Sequence, residues 1–378
     1  MPKKIIAIAG AGLAGVYIAS RLSRKLRHTD YQILLFNDGS EDMTLQSVLP
    51  QIAVGTVKYQ AALYNLKQIL KHKKNVEFIN QEVIDVDFDR NILMTRLNDY
   101  QFDYFVAATG SFVSDQGIPG ALQHATFFNS FKGAMSIRKK LTDFVNLAKK
   151  DSSKQLNLAI VGGGPSGVEL AAELANFKKH QHIKPTQIAV TLVNADQVLL
   201  PSLTQPEISQ KAKDFLTQNG IEIINDVRVI GVNDSQLTLE NGQRILTDQV
   251  YWAAGLQGQP IANHWGLAIN EDGQITVDEH FHILTENGNP LTNAFAAGNI
   301  AAFTRNNKEG LPQLALAIQY AGNIIVNQML YHFDEADSAG KNAKEKSSPR
   351  YFVSLGKSSR MVSQMLMVIT VPLVSPPV

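Results

Sequence analysis

The residues with the clearest chemistry are three glycines, Gly162, Gly164 and Gly167, in the G-x-G-x-x-G spacing of residues 161–174 (VGGGPSGVELAAEL). That spacing has a mechanism only between a strand and a helix, and here an apolar run precedes it and a helix-forming segment follows. The first glycine permits a tight turn, the second lets backbone approach a pyrophosphate, and the third lets helix pack on strand. The N-terminus of the helix, with Pro165 and Ser166 in its first turn, then turns unpaired N–H groups towards phosphates. The spacing recurs at Gly10, Gly12 and Gly15 in residues 9–15 (AGAGLAG), with Ala14 inside it. Two such loops in one chain imply two dinucleotides and a redox reaction between them.

Composition narrows that reaction. The chain has no cysteine, so disulfide exchange, persulfide chemistry and iron–sulfur clusters are all excluded. A net charge of +1 with scattered basic residues gives no electrostatic footprint for nucleic acid. The nine histidines show no ligand spacing, so no metal site is expected, and the pairs His180/His182 and His280/His282 read as surface residues. No uncharged apolar run reaches the roughly 20 residues that span a bilayer. Residues 1–12 enter a strand at once, so no secretory signal is expected. The chain reads as cytoplasmic, or as peripheral on the inner face of the cell membrane.

The elements that must hold these loops are legible in order. Apolar runs at 4–9 and 31–37 read as adjacent parallel strands around the first loop. Asn37 or Asp38, at the end of the second, stands where an acid usually grips the adenosine ribose. Ser47 and Gly55 stand where they could meet a cofactor ring, and residues 77–87 and 90–96 alternate as an antiparallel appendage. The strand at 102–111 ends in Ala108-Thr109-Gly110, small enough for close approach to a cofactor. Residues 129–147 read as a linking helix and 187–194 as the strand after the central loop. Asn194 at its end can bond a ribose 2′-hydroxyl and no arginine follows, which favours NADH and leaves NADPH open. A helix at 203–220, a strand at 221–224 and a hairpin around Asn241-Gly242 come next. Strands at 250–255 and 294–299 end in Ala254-Gly255 and Gly298-Asn299. A helical segment covers 314–331, a polar run 334–350, and an apolar stretch 361–374.

The ordered set GAGLAG, ATGS, GGGPSGVELAAEL, WAAG and FAAGN resembles the FAD-dependent pyridine nucleotide oxidoreductases, the glutathione-reductase-like flavoproteins with two dinucleotide-binding domains, across roughly residues 3–330. Within them it looks most like type II NADH dehydrogenases, through residues 102–111, the run at 167–173 and Leu311-Pro312 before a helix. The resemblance implies an α/β fold of two Rossmann-like domains. An FAD domain (1–113 and 290–330) would carry an inserted NAD(P)H domain (114–289), with a short C-terminal segment (331–378) meeting a membrane or an interface. It implies that Gly10, Gly12 and Gly15 hold the FAD pyrophosphate, that Val83 presents backbone to the adenine, and that Thr109 and Gly110 line the FAD site. Gly162, Gly164 and Gly167 would hold NADH, with Asn194 at its ribose and Gly255 beneath it. Glu169 would seat the nicotinamide or take part in proton or quinone chemistry; read from its position alone, it is a helix-start acid favoured by the dipole, with Glu173 a surface partner one turn on. The implied partners are a quinone or another diffusible acceptor and a second copy of the chain.

Three features depart from the family pattern. Asn299 replaces the aspartate that accepts a bond from the FAD ribityl chain. Ala315 replaces the first of two glutamines on the quinone side, leaving Gln319. Where the family carries amphipathic helices for membrane docking, the C-terminal region here offers the apolar stretch 361–374, too short to span a bilayer but able to insert from one side or pack internally. Two alternatives follow: a reductase of a small electron-carrier protein, and a flavin-binding sensor with reduced catalysis.

Overall fold

The computed structural model describes residues 3–181, 183–203, 205–303 and 315–335, with the backbone of two short strands, Arg350–Tyr351 and Ile369–Thr370. Two parallel sheets dominate. In the first, Lys4–Ala9 lies between Tyr31–Phe36 and Tyr104–Ala107, with Val76–Ile79 and Pro290–Ala296 as outer parallel neighbours. Lys4–Ala9 and Tyr31–Phe36 are apolar on both faces and buried along most of their length, as strands covered on both sides must be. The helix Leu13–Lys25 covers one face, and Ala315–Glu335 packs on that helix, where Gly322 leaves room for the Tyr17 ring.

The second sheet repeats the plan. Leu156–Val161 lies between Ile188–Val193 and Gln249–Trp252, with Ile221–Ile224 and Ala125–Phe127 outside, all parallel. Each sheet has its own apolar core. An antiparallel ribbon, Ser111–Val113 against Leu256–Gly258, joins the halves, and Trp252 Nε1 donates to Ser114 O across it at 3.0 Å.

Several expectations shift. Residues 77–87 do not form one antiparallel strand: Val76–Ile79 joins the large parallel sheet, and only Val83–Asp87 pairs antiparallel, with Ile92–Thr95. Ile275–Val277 and His282–Leu284 belong to the first sheet, so that sheet takes in chain ahead of the expected boundary at 289. The Asn241-Gly242 hairpin forms as read, with Gln236–Leu239 against Arg244–Leu246 and Gly242 at φ +84°. The linking helix runs Phe131–Lys150, its N-cap Ser130 accepting from Gly133 N at 3.1 Å. His282 is buried rather than on the surface, its Nδ1 2.9 Å from Asp278 Oδ2. Glu173 is likewise buried. His182, Leu311 and Pro312 lie outside the described residues, as do the polar run 336–349 and the 361–374 stretch apart from Ile369–Thr370.

Candidate functional site

At the central loop each glycine has a separate reason. Gly162 sits at φ +114°, and a Cβ there would lie 2.9 Å from the Ala253 carbonyl, so the turn can rest on the neighbouring strand only without a side chain. A Cβ on Gly167 would meet the Gly162 carbonyl oxygen at 1.9 Å, which brings the base of the helix Pro165–His180 against the strand end. Gly164 is different: nothing lies within 4 Å of where its Cβ would stand. It is the N-cap and offers no side-chain bond to the first-turn N–H groups, which are left open to an outside acceptor.

The first loop has the same division of labour. A Cβ on Gly10, at φ +108°, would stand 2.3 Å from Ala108 O and one on Gly15 would stand 1.9 Å from Gly10 O, whereas one on Gly12 would meet nothing within 4 Å. Gly12 also caps its helix with no side-chain bond. Around it the expected segments converge. Gly298, at φ +79°, would place a Cβ 3.1 Å from that of Ala14, and a Cβ on Gly10 would lie 2.9 Å from Thr109 Cα. Thr109 Oγ1 is buried and finds no hydrogen-bond partner among the described residues. An orphaned hydroxyl beside an open glycine loop fits a bound polar group. Gly110, at φ +74°, follows directly.

A cavity of about 760 Å³ opens between the two halves. Gly162, Gly164, Pro165, Ser166 and Glu169 form one side of it, with Asn194, Ala254 and Gly255 on the second sheet. Ser111 and Asn299 close it from the first half, joined by a 3.1 Å hydrogen bond from Asn299 Nδ2 to Ser111 Oγ. Glu169 is half-buried in its wall.

The remaining expected residues divide. Asn194 lies in the wall but is 2 % exposed, and its Nδ2 donates to Asp196 O at 2.8 Å and Val198 O at 2.9 Å. Its Oδ1 accepts from Gly163 N. Asn37 does the same in the first half, accepting from Ala11 N at 3.3 Å and donating to Ser40 O at 2.8 Å. Both asparagines are therefore engaged with their own loops rather than turned wholly to a ribose. Asp38 is exposed just beyond, and Val83 is buried at a strand start. Ser47 is exposed and does not line the cavity, and Gly55 is the left-handed cap of the helix Leu49–Val54 beside the Arg138 guanidinium. Gln319 is exposed on the helix Ala315–Glu335 and does not line the cavity either. Sequence reading missed Gln46, Leu49, Gln116, Phe128 and Arg228, which complete the walls from distant segments. Only Leu49-Pro50, a buried pair after a polar stretch, left a trace in the sequence. No cluster that could hold a metal ion exists among the described residues.

The chain is similar in sequence and in fold to known proteins. A family model described as pyridine nucleotide-disulphide oxidoreductase matches residues 4–322. A type II NADH:quinone oxidoreductase of Staphylococcus aureus is 27% identical over 338 residues, covering 86% of this chain and 82% of the relative. Among solved structures, NDH2 of Plasmodium falciparum in complex with NADH matches with TM-score 0.68 and 23% identity over 80% of this chain and 65% of that one. The sulfide:quinone oxidoreductase of Aquifex aeolicus matches with TM-score 0.76 and 19% identity, over 88% of this chain and 77% of that one. The reductase in the putidaredoxin reductase–putidaredoxin complex matches with TM-score 0.73 and 19% identity, over 94% and 80%.

Proposed function

This chain belongs to the pyridine nucleotide-disulphide oxidoreductase family, and from that premise we propose that it is an FAD-dependent NADH dehydrogenase passing electrons to a quinone. The observation that carries the reading is the repeated open glycine: Gly12 and Gly164 each face empty space at the uncapped start of a helix, in two folds of one plan. FAD, when bound, supplies a two-electron acceptor for hydride from NADH and a donor to the next oxidant.

The chain's own residues bind, orient and insulate. The first-turn N–H groups after Gly12 suit the FAD pyrophosphate, with Thr109 Oγ1 beside them as an unmet hydroxyl. The corresponding groups after Gly164 suit the NADH pyrophosphate, and Glu169, Ser111 and Asn299 line the same cavity. Holding two reactants in one walled cavity replaces a random encounter with an oriented one. Without cysteine the chain cannot pass electrons through a disulfide of its own, so they leave directly to a diffusible acceptor. A quinone is the acceptor named for the Staphylococcus aureus relative. The same resemblance carries the expectation of a homodimer seated peripherally on a membrane; no helix of the described residues is long and apolar enough to cross one. A second reading, electron transfer to a small carrier protein, is supported by Ala315, which stands where the first of the two quinone-side glutamines would be.

Anaerobic addition of NADH to the purified yellow protein, followed by menadione, tests these readings. Bleaching of the flavin band and its recovery support the quinone reading. Bleaching without recovery supports the carrier-protein reading, and a band that never bleaches rejects both.

A further inference from the structure

Ser111 stands where the two halves meet. It opens the ribbon strand Ser111–Val113 and faces the cavity together with Gly164, Glu169 and Asn299. Its oxygen accepts the hydrogen bond from Asn299 Nδ2 at 3.1 Å. A serine hydroxyl has a single hydrogen, and an oxygen that accepts from one side directs that hydrogen elsewhere. No described residue accepts it.

Asn299 is held in place from behind. Gln274, itself buried, donates from Nε2 to the Asn299 carbonyl at 2.9 Å. Asn270 Nδ2 in turn donates to Gln274 Oε1 at 3.1 Å, and Asn270 Oδ1 accepts from Gln274 N at 2.8 Å. These contacts tie down the backbone of the turn that carries Asn299, and the bond to Ser111 orients its amide.

We propose that Ser111 is a hydrogen-bond donor to the bound flavin and that Asn299 is the positioning residue that makes it one. The proposal rests on the FAD reading above. An amide at 299 donates and leaves the serine hydrogen to the cavity, whereas a carboxylate at 299 would take that hydrogen for itself. The amide is also neutral, so it adds no negative charge against electrons arriving on the flavin.

The test uses the flavin-loaded protein and measures FAD dissociation, the visible absorption maximum and the midpoint potential. Ser111→Ala should weaken FAD retention about fivefold to tenfold, the worth of one neutral hydrogen bond, and move the absorption maximum. Ser111→Thr, which keeps the hydroxyl, should restore both. Asn299→Asp should move the absorption maximum as Ser111→Ala does and lower the midpoint potential, whatever its carboxylate gains in FAD retention at the ribityl chain. Adding Ser111→Ala to Asn299→Asp should then cost nothing more, because the donor has already been withdrawn. Unchanged FAD retention and absorption in Ser111→Ala would overturn the proposal, as would an additive loss in the double variant. If Ser111→Ala does not fold, an unchanged potential in Asn299→Asp overturns it alone. A wild-type protein that takes up no FAD defeats the functional reading itself, an outcome distinct from flavin held equally by wild type and Ser111→Ala.

Discussion

The side-chain oxygen of Asn194 accepts the amide hydrogen of Gly163 at 3.2 Å, and in the other half Asn37 accepts that of Ala11 at 3.3 Å. Both amides belong to the residue between the first two glycines of the motif. An asparagine after the second strand therefore reaches back and fastens the phosphate-facing loop of its own fold. Around Gly163 the fit is close, since a Cβ there would stand 2.4 Å from Asn194 Cγ. The glycines let the loop turn and the asparagine fastens it.

Asn194→Ala removes the acceptor for a buried N–H and the donors to Asp196 and Val198. Stability should fall by about 1–3 kcal/mol, the cost of leaving such groups unmet. The KM for NADH should rise while the preference for NADH over NADPH stays the same. Chemical denaturation and steady-state kinetics with both nucleotides check this. A changed preference without loss of stability would instead make Asn194 a direct reader of the ribose.

The open and the packed glycines separate binding from folding. Gly164→Ala meets no atom within 4 Å, and the backbone there (φ −72°) suits alanine, so stability should stay within about 0.5 kcal/mol of wild type. NADH should then fail to bleach the flavin while the yellow colour is kept. Gly167→Ala drives a methyl into the Gly162 carbonyl at 1.9 Å and should cost at least 1–3 kcal/mol in denaturation. Gly12→Ala should lose FAD rather than NADH. If Gly164→Ala released FAD, the assignment of the two folds would have to be reversed.

The paired loops were legible because their glycine spacing is local and falls between an apolar strand and a helix. So were the strand ends at 108–110, 254–255 and 298–299, where small residues follow buried runs. What the asparagines do was not legible. The partner of Asn194 is 31 residues away and is chosen by the crossover that lays Ile188–Val193 beside Leu156–Val161. The Ser111–Asn299 bond spans 188 residues, and no periodicity encodes it. Val76–Ile79 departs from its expected pairing for a related reason: alternation within residues 77–87 looks the same whether a strand edges a parallel sheet or starts a hairpin. The burial of His282 follows from aromatic neighbours, Phe295 and His332, that only the fold supplies.

Glu169 is the one acidic side chain of the central motif that lines the cavity. Glu169→Gln keeps the shape and removes the charge. We expect the KM for NADH to rise about tenfold or more, the scale of a lost hydrogen bond to a charged group, with the flavin absorption spectrum unchanged. Stopped-flow bleaching under anaerobic conditions isolates this step from reoxidation. A defect confined to reoxidation by menadione would move Glu169 from the donor side to the acceptor side.

The acid limb of the stability curve should report Asp278. Its Oδ1 accepts from the backbone of His280 at 2.9 Å and of His282 at 2.8 Å, and its Oδ2 lies 2.9 Å from His282 Nδ1. Burial alone would push the carboxyl up, but the side-chain and backbone bonds and the charge of His282, together with the His280 backbone bond, carry it below its ordinary 3.8. A carboxyl depressed in the folded state contributes stability that is complete above its unfolded value. That contribution is lost as pH falls from about 4 through the folded value. Asp278→Asn, of the same shape, gives up the charge and should be less stable by about 1–2 kcal/mol at neutral pH. The gap between the two proteins should hold steady above pH 5 and close below about pH 4. Urea denaturation from pH 3 to pH 7 measures it. A gap independent of pH would mean that Asp278 acts by shape alone, and that the ring of His282 is held in place by its packing on Phe295 and His332.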